Sequence, residues 1–218
     1  MANKSNKNSN QSSQKIPVPL ASLPAVLLPW YDREKRSLPW RDIVTPYRTW
    51  VSEIMLQQTR VQAVLPYFER FMAAAPDVPA LAELAEDRLL SLWQGLGYYS
   101  RARSLQRSAR VMVDKYGGCL PDTYSELIQL PGIGDYTAGA ILSIAFKKAF
   151  PAVDGNVLRI AARLTACGDN VLDPRTRQHV RDALAAVMPT DRPGDFNQAM
   201  MDLGAAVCLP KNPKCESC

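Results

Sequence analysis

From Leu20 onward the apolar positions of this chain recur at intervals of three and four, and no stretch alternates apolar with polar residues long enough to make a strand. The pattern predicts an all-α fold. A helix over 20–36, carrying Trp30 and Tyr31, is broken by Ser37-Leu38-Pro39-Trp40-Arg41, and a loop leads to Thr45-Pro46. A second helix follows, with Trp50, Ile54 and Gln57 at helical spacing and Glu53 one turn before Gln57. The next, over 60–75, is expected to be distorted at Pro66, which has no amide hydrogen to give the ladder. Asp77-Val78-Pro79 starts another, and 86–93 another, stopped by Gly95-Leu96-Gly97. A long helix from Tyr98 ends at Gly117-Gly118, a common C-terminal signal. Helix, hairpin and helix occupy 123–149, and further helices fill 156–167, 175–188 and 196–207.

The hairpin is the most informative stretch. Leu130-Pro131-Gly132-Ile133-Gly134 places two glycines in three positions, which permits backbone angles closed to other residues, and Asp135-Tyr136-Thr137-Ala138 then opens a helix. Free amides at a helix start, with the positive end of its dipole, suit a backbone phosphate. An ordinary helix-helix turn fits the same residues.

Composition adds bounds. The chain has 218 residues, 47% of them apolar, enough for one domain or two closely packed lobes. No apolar run approaches bilayer length, so no membrane role is expected. Residues 1–19, rich in Asn, Ser, Gln and Lys, are expected to form a disordered polar tail that is neither a secretory signal nor a transit peptide. Three lysines of the net +5 lie there, which leaves the remainder mildly basic, compatible with nucleic-acid binding without requiring it. Five cysteines, three of them crowded at Cys208, Cys215 and Cys218, suit metal or cluster ligation better than disulfides.

Two carboxylates stand out. Glu53 lies among Val51, Ile54, Met55 and Leu56, where burial would favour its protonated form and make a general acid; a solvated glutamate on a polar helix face fits equally. Asp154, ahead of Gly155-Asn156 and an apolar-periodic helix, reads as an N-cap that can also face a cationic transition state. Tyr98 and Tyr99 on a glycine-flexed turn suit a wedge between bases, with Arg101 and Arg103 on phosphates, or else packing. Gln57 and Gln58 offer amide edges to bases.

Taken together, Leu38-Pro39-Trp40-Arg41, Ser52-Glu53-Ile54-Met55-Leu56-Gln57-Gln58-Thr59, Gly95-Leu96-Gly97-Tyr98-Tyr99-Ser100-Arg101, the Leu130 hairpin, Val153-Asp154-Gly155-Asn156-Val157 and Phe196-Asn197-Gln198-Ala199-Met200-Met201-Asp202 resemble the helix-hairpin-helix DNA glycosylases, and within them the branch that excises adenine mispaired with 8-oxoguanine. The resemblance implies a six-helix barrel lobe over 37–147, holding the helix-hairpin-helix at 123–149, packed on an iron-sulfur-cluster helical lobe formed by 20–36 and 148–218. It implies that Glu53 protonates adenine at N7 and helps position water, that Asp154 stabilises the oxocarbenium-like sugar, and that Gln58 and Tyr98 enter the duplex during base extrusion. Trp40, Arg41 and Gln198 match positions lining the adenine pocket, Gln57 and Asn156 join the substrate side, and Gly132 and Gly134 hold phosphate. Tyr136 occupies the place where lyase members carry a Schiff-base lysine, which implies a monofunctional glycosylase.

The implied partner is double-stranded DNA containing adenine mispairs, bound by a monomer, cytoplasmic and nucleoid-associated in a bacterium, nuclear or mitochondrial in a eukaryote. A 4Fe-4S cluster is implied on Cys208, Cys215 and Cys218; the fourth cysteine of the family lies beyond residue 218, so cluster occupancy is expected to be impaired. The family's C-terminal 8-oxoguanine-reading domain is likewise expected to be absent, with mismatch discrimination weakened. Competing expectations are a thymine or uracil mismatch glycosylase of the same superfamily and a catalytically impaired DNA-binding fragment.

Overall fold

The computed structural model describes residues 18–218, and no strand occurs among them. The polar tail expected over 1–19 therefore falls outside the described residues, except that the backbone of Val18 and Pro19 already belongs to the first helix. The helices in chain order are α1 (Val18–Ala21), α2 (Leu23–Glu34), α3 (Pro39–Asp42), α4 (Pro46–Leu56), α5 (Val61–Ala74), α6 (Val78–Glu83), α7 (Glu86–Trp93), α8 (Tyr99–Tyr116), α9 (Tyr124–Leu127), α10 (Asp135–Ile144), α11 (Gly155–Leu164), α12 (Pro174–Val187) and α13 (Pro193–Ala206), with a 3₁₀ turn at Cys215–Ser217.

Local chemistry explains most boundaries. Thr45 and Asp77 accept from the amides of Arg48 and Ala80 at 3.1 and 2.9 Å, and a proline follows each at the start of α4 and α6. Thr123 caps α9 through the Glu126 amide while its hydroxyl donates to the Glu126 carboxylate. α8 ends as expected, with Gly117 left-handed and the Gly118 amide donating to the Met112 carbonyl at 2.9 Å.

Four expectations change. The first helix is interrupted at Ser22 into α1 and α2. The predicted loop after Leu38 contains the single turn α3, started by Pro39. α5 runs through Pro66 without a break, because Pro66 and Gln62, whose carbonyl it leaves free, both face solvent. The first helix of the hairpin is only the one turn α9, and the second ends at Ile144.

Among the described residues two large apolar cores result, with a small cluster of Ala140, Ile144 and Ala152 besides. One gathers residues between Leu38 and Leu142, with Trp50, Phe68, Phe71 and Trp93 fully buried and Trp40 edge-on to Phe68 at 5.2 Å between centroids. The other joins Leu20, Leu23, Leu27 and Tyr31 to Val157, Ile160, Leu184, Phe196 and Leu203, so early and late parts of the chain share it. α10 lies against α4 on one side and α13 on the other. Buried Asn197 ties these parts together: its amide donates to Ser143 Oγ at 2.7 Å and the Phe150 carbonyl at 2.9 Å and accepts from the Ala152 amide at 3.1 Å. That fixes the segment leading to Asp154. No helix among the described residues is long and apolar enough to cross a membrane.

Candidate active site

Where the two cores meet, a cleft of about 710 Å³ opens, lined among others by Trp40, Arg41, Glu53, Tyr136, Asp154 and Gln198. Helical spacing in α4 sends Trp50 and Ile54 into the first of these cores and turns Glu53 to the cleft wall, where it is 6% exposed. Burial pushes its carboxyl up to about 7, aided by the nearby Asp154 and opposed by the Tyr136 hydroxyl and the Arg41 charge. The solvated reading of Glu53 is thereby removed. Tyr136, on the first turn of α10, faces Glu53 and donates to Met201 Sδ at 3.6 Å; burial and the two carboxylates raise its phenol well above the ordinary value.

Asp154 is both things its sequence allowed. Its Oδ1 accepts from the Val157 amide at 2.8 Å, capping α11, and its Oδ2 accepts from Asn156 Nδ2 at 2.8 Å, while the carboxylate lines the cleft. Asn156 is held from behind by Arg159, which donates to its Oδ1 at 3.0 Å, and by Gly204. A Cβ on Gly204 would fall 2.8 Å from Asn156 Cβ, so α13 can approach this closely only with glycine there.

The far wall is built by ions and aromatics. Arg41 makes a two-pronged pair with Asp202, at 2.7 and 3.0 Å, and Arg36 pairs with the same carboxylate. Asp202 is 3% exposed; burial alone would raise its carboxyl, but the two arginines hold it below the ordinary range. The Arg41 guanidinium stands 5.8 Å from the Tyr31 ring centroid. Tyr31 donates to Gln198 Oε1 at 2.7 Å, which leaves the amide nitrogen of this cleft-lining residue free of that bond. Sequence reasoning missed Tyr31, Asp202 and Asn197 as individual contributors. The signal for Asp202 was present, a lone carboxylate in Met200-Met201-Asp202-Leu203, the same pattern that singled out Glu53.

A second cavity of about 590 Å³ shares Glu53, Tyr136, Asp154 and Asn156 with the first and reaches Gln57, Gln58 and Tyr98. Gln57 ends α4 and donates weakly to Thr137 Oγ1 at 3.4 Å. Gln58 and Tyr98 are both left-handed, at φ 58° and 49°, a conformation that costs a side-chain-bearing residue about 1 kcal/mol or more. Both point outward, Tyr98 with 62% exposure; Tyr99 is exposed too, so neither ring serves the core. The expectation that Arg101 meets a phosphate is overturned, because its guanidinium is turned inward onto backbone carbonyls. Arg103 is exposed and pairs with Glu86 at 2.8 Å.

In the hairpin Gly132 has φ 82°, and a Cβ there would lie 2.9 Å from Ser104 Cβ, so glycine is required twice over. Gly134 is extended and stands as the N-cap residue of α10. Asp135 is neutralised by Arg181 at 2.7 Å and by the Tyr124 hydroxyl at 2.6 Å.

The three late cysteines do not gather. Cys208 is half-buried with its Sγ 3.3 Å from Arg163 Nη1, whereas Cys215 and Cys218 are exposed on and beyond the 3₁₀ turn, and no group of three metal-ligating side chains converges among the described residues. Arg163 also donates to the Leu209 and Pro210 carbonyls. As they stand, the three thiols do not form a metal-binding group among the described residues.

A hairpin ahead of α10, with a buried acid and a capped aspartate facing one cleft between two helical cores, defines a DNA repair protein of the helix-hairpin-helix class: residues 51–187 match the HhH-GPD superfamily of base excision DNA repair proteins, and the chain belongs to that family. Among its relatives, the chain is 47% identical over 201 residues to the adenine DNA glycosylase of Mus musculus, covering 88% of this chain and 39% of that protein. It is 42% identical over 194 residues to the adenine DNA glycosylase of Buchnera aphidicola subsp. Acyrthosiphon pisum, covering 88% and 55%. The chain thus spans about half the length, or less, of these curated relatives. Its fold superposes on a thermostable thymine-DNA glycosylase with a TM-score of 0.82 at 26% identity, covering 92% of each chain. It also superposes on a trapped endonuclease III-DNA covalent intermediate with a TM-score of 0.74 at 25% identity, covering 88% and 87%.

Proposed function

We propose that this chain binds duplex DNA and hydrolyses the N-glycosidic bond of adenine mispaired with 8-oxoguanine or guanine, without cleaving the strand. The observation that carries the reading is the buried Glu53, held up to about 7, across a shared cleft from the capped Asp154. At neutral pH a sizeable fraction of Glu53 is protonated and can donate to N7 of an extruded adenine. The C1′–N9 bond then breaks with its electron pair leaving on the base, which departs as neutral adenine. Asp154, oriented by Val157 and Asn156, faces the positive charge left on the sugar. Glu53, now ionised, takes the proton of the water that adds to C1′, giving an abasic site. Arg41, Trp40 and the Gln198 amine border the base, Gln57, Gln58 and Tyr98 meet the opened duplex, and the amides around Gly132 and Gly134 hold a backbone phosphate.

Tyr136 has no amine to form a Schiff base, which supports base removal alone. Borohydride treatment is expected to trap no stoichiometric enzyme-DNA adduct; such an adduct would overturn the monofunctional reading. The identity to adenine DNA glycosylases supports adenine as the base. The likeness to a thymine-DNA glycosylase favours a second reading, removal of mispaired thymine, against which stands an acid suited to a purine N7. Excision assays on duplexes with adenine or thymine in the mispair separate the two.

A further inference from the structure

Among the described residues Arg101 is the most heavily engaged side chain. Its Nη1 donates to the carbonyls of Ile54, Met55 and Gln57, at the end of α4, and its Nη2 to Thr59 Oγ1, Leu96 O and Gly97 O, each at 3.2 Å. The guanidinium lies 5.5 Å from the ring centroids of both Trp93 and Tyr98, and Nε is buried without an acceptor among the described residues. Its one unpaired N–H, on Nε, is buried, so none is presented to a phosphate. The two acceptors that matter are Gln57 O and Gly97 O, because each is the carbonyl immediately before a left-handed residue, Gln58 in one case and Tyr98 in the other. One rigid planar fork therefore spans the peptide bonds that set both strained conformations.

We propose that Arg101 is a positioning residue that fastens the α4–α5 turn to the α7–α8 turn, so that Gln58 and Tyr98 enter the duplex as one preformed wedge. The proposal rests on the reading above that these two side chains act during base extrusion. Held separately, each turn would relax from its left-handed residue, and the wedge would have to be rebuilt at every encounter.

The test uses the full chain, a duplex carrying 2-aminopurine at the target position to report unstacking by fluorescence, and the variants Arg101→Lys and Arg101→Met. Arg101→Lys, which keeps the charge and loses the fork, is expected to lower the extruded fraction about 10-fold while the dissociation constant moves less than about threefold. In the parent, Gln58→Ala or Tyr98→Ala alone is expected to cost nearly as much extrusion as both together; in Arg101→Met the two losses become additive. Unchanged extrusion in a folded Arg101→Lys overturns the proposal. So does a loss confined to affinity with a salt dependence reduced by about one contact, which marks a phosphate ligand. Hydrogen exchange on the DNA-free protein tests the staple independently of the reaction and of variant folding yield. Arg101→Lys is expected to lose protection at 57–59 and 96–98 together, and loss at only one segment, or uniformly, refutes it. A parent that keeps joint protection yet never brightens 2-aminopurine sinks the extrusion reading instead.

Discussion

Replacing Glu53 with glutamine should make the protein more stable and less active at the same time, and the structure sets the size of the gain. Burial lifts the Glu53 carboxyl from an ordinary 4.5 to about 7. At about 1.4 kcal/mol for each tenfold change in proton affinity, ionising it in the folded state costs about 3 kcal/mol more than in the unfolded chain. The sign follows from proton counting. Between 4.5 and about 7 the folded state keeps a proton that the unfolded state has released, so stability falls as pH rises through that window, and the loss is complete above it. Glutamine fills the same space without that liability. At pH 8, Glu53→Gln should therefore melt about 6–12 °C above the parent, the conversion for a chain of this size. At pH 5 the advantage should shrink to less than about 1 kcal/mol. Circular dichroism melts of both proteins across pH 5–8 read this difference directly. In parallel, single-turnover excision should drop about 10²- to 10⁴-fold, as expected for a lost general acid, and the parent's rate should decline as pH rises past about 7. Melting curves of the two proteins that stay parallel with pH would refute the buried-acid argument, whatever happens to the rate.

Three further outcomes follow from the same geometry. Asp202→Asn leaves Arg36 and Arg41 without their shared carboxylate and should destabilise by about 3 kcal/mol, read from the midpoint of urea unfolding. Gly204→Ala forces a methyl group to within 2.8 Å of Asn156 Cβ, should displace the amide that orients Asp154, and should lower single-turnover excision about 10-fold or more with DNA affinity little changed. Gly132→Ala places a side chain at φ 82° and against Ser104, and should weaken duplex binding while costing about 1–3 kcal/mol of stability, measured by anisotropy titration and thermal melting.

Much of this was written in the sequence because local punctuation and packing agree. The end of α7 at Trp93 and the end of α8 at Tyr116 follow from glycines that stop a helix whatever surrounds it. Asp154 was legible as a cap for the same reason, since capping is a contact over three residues. Glu53 was not decidable from its neighbours alone: an acid among apolar residues faces solvent or a cleft according to what packs beside it, and α10 and α13 are far away in sequence. Arg101 was misread outright. Its partners lie in two turns separated from each other by the three helices α5, α6 and α7, and spacing along α8 carries no information about them. The hairpin's first helix was overestimated because apolar periodicity around Leu127 and Leu130 serves the core through a turn as well as through a helix.

The second core has a consequence for how the molecule comes into being. Leu20, Leu23, Leu27 and Tyr31 leave the ribosome well before the residues they pack against, from Val157 to Val207. The other large core lies between them and is complete in sequence by Leu142. A nascent chain can thus bury its middle while its opening helix waits for partners not yet made. Glu53 and Tyr136 arrive with that first core and Asp154, Asn156 and Gln198 with the second, so the two carboxylates can face each other only after the later helices have been made, and a chain that stops short of them holds half a site.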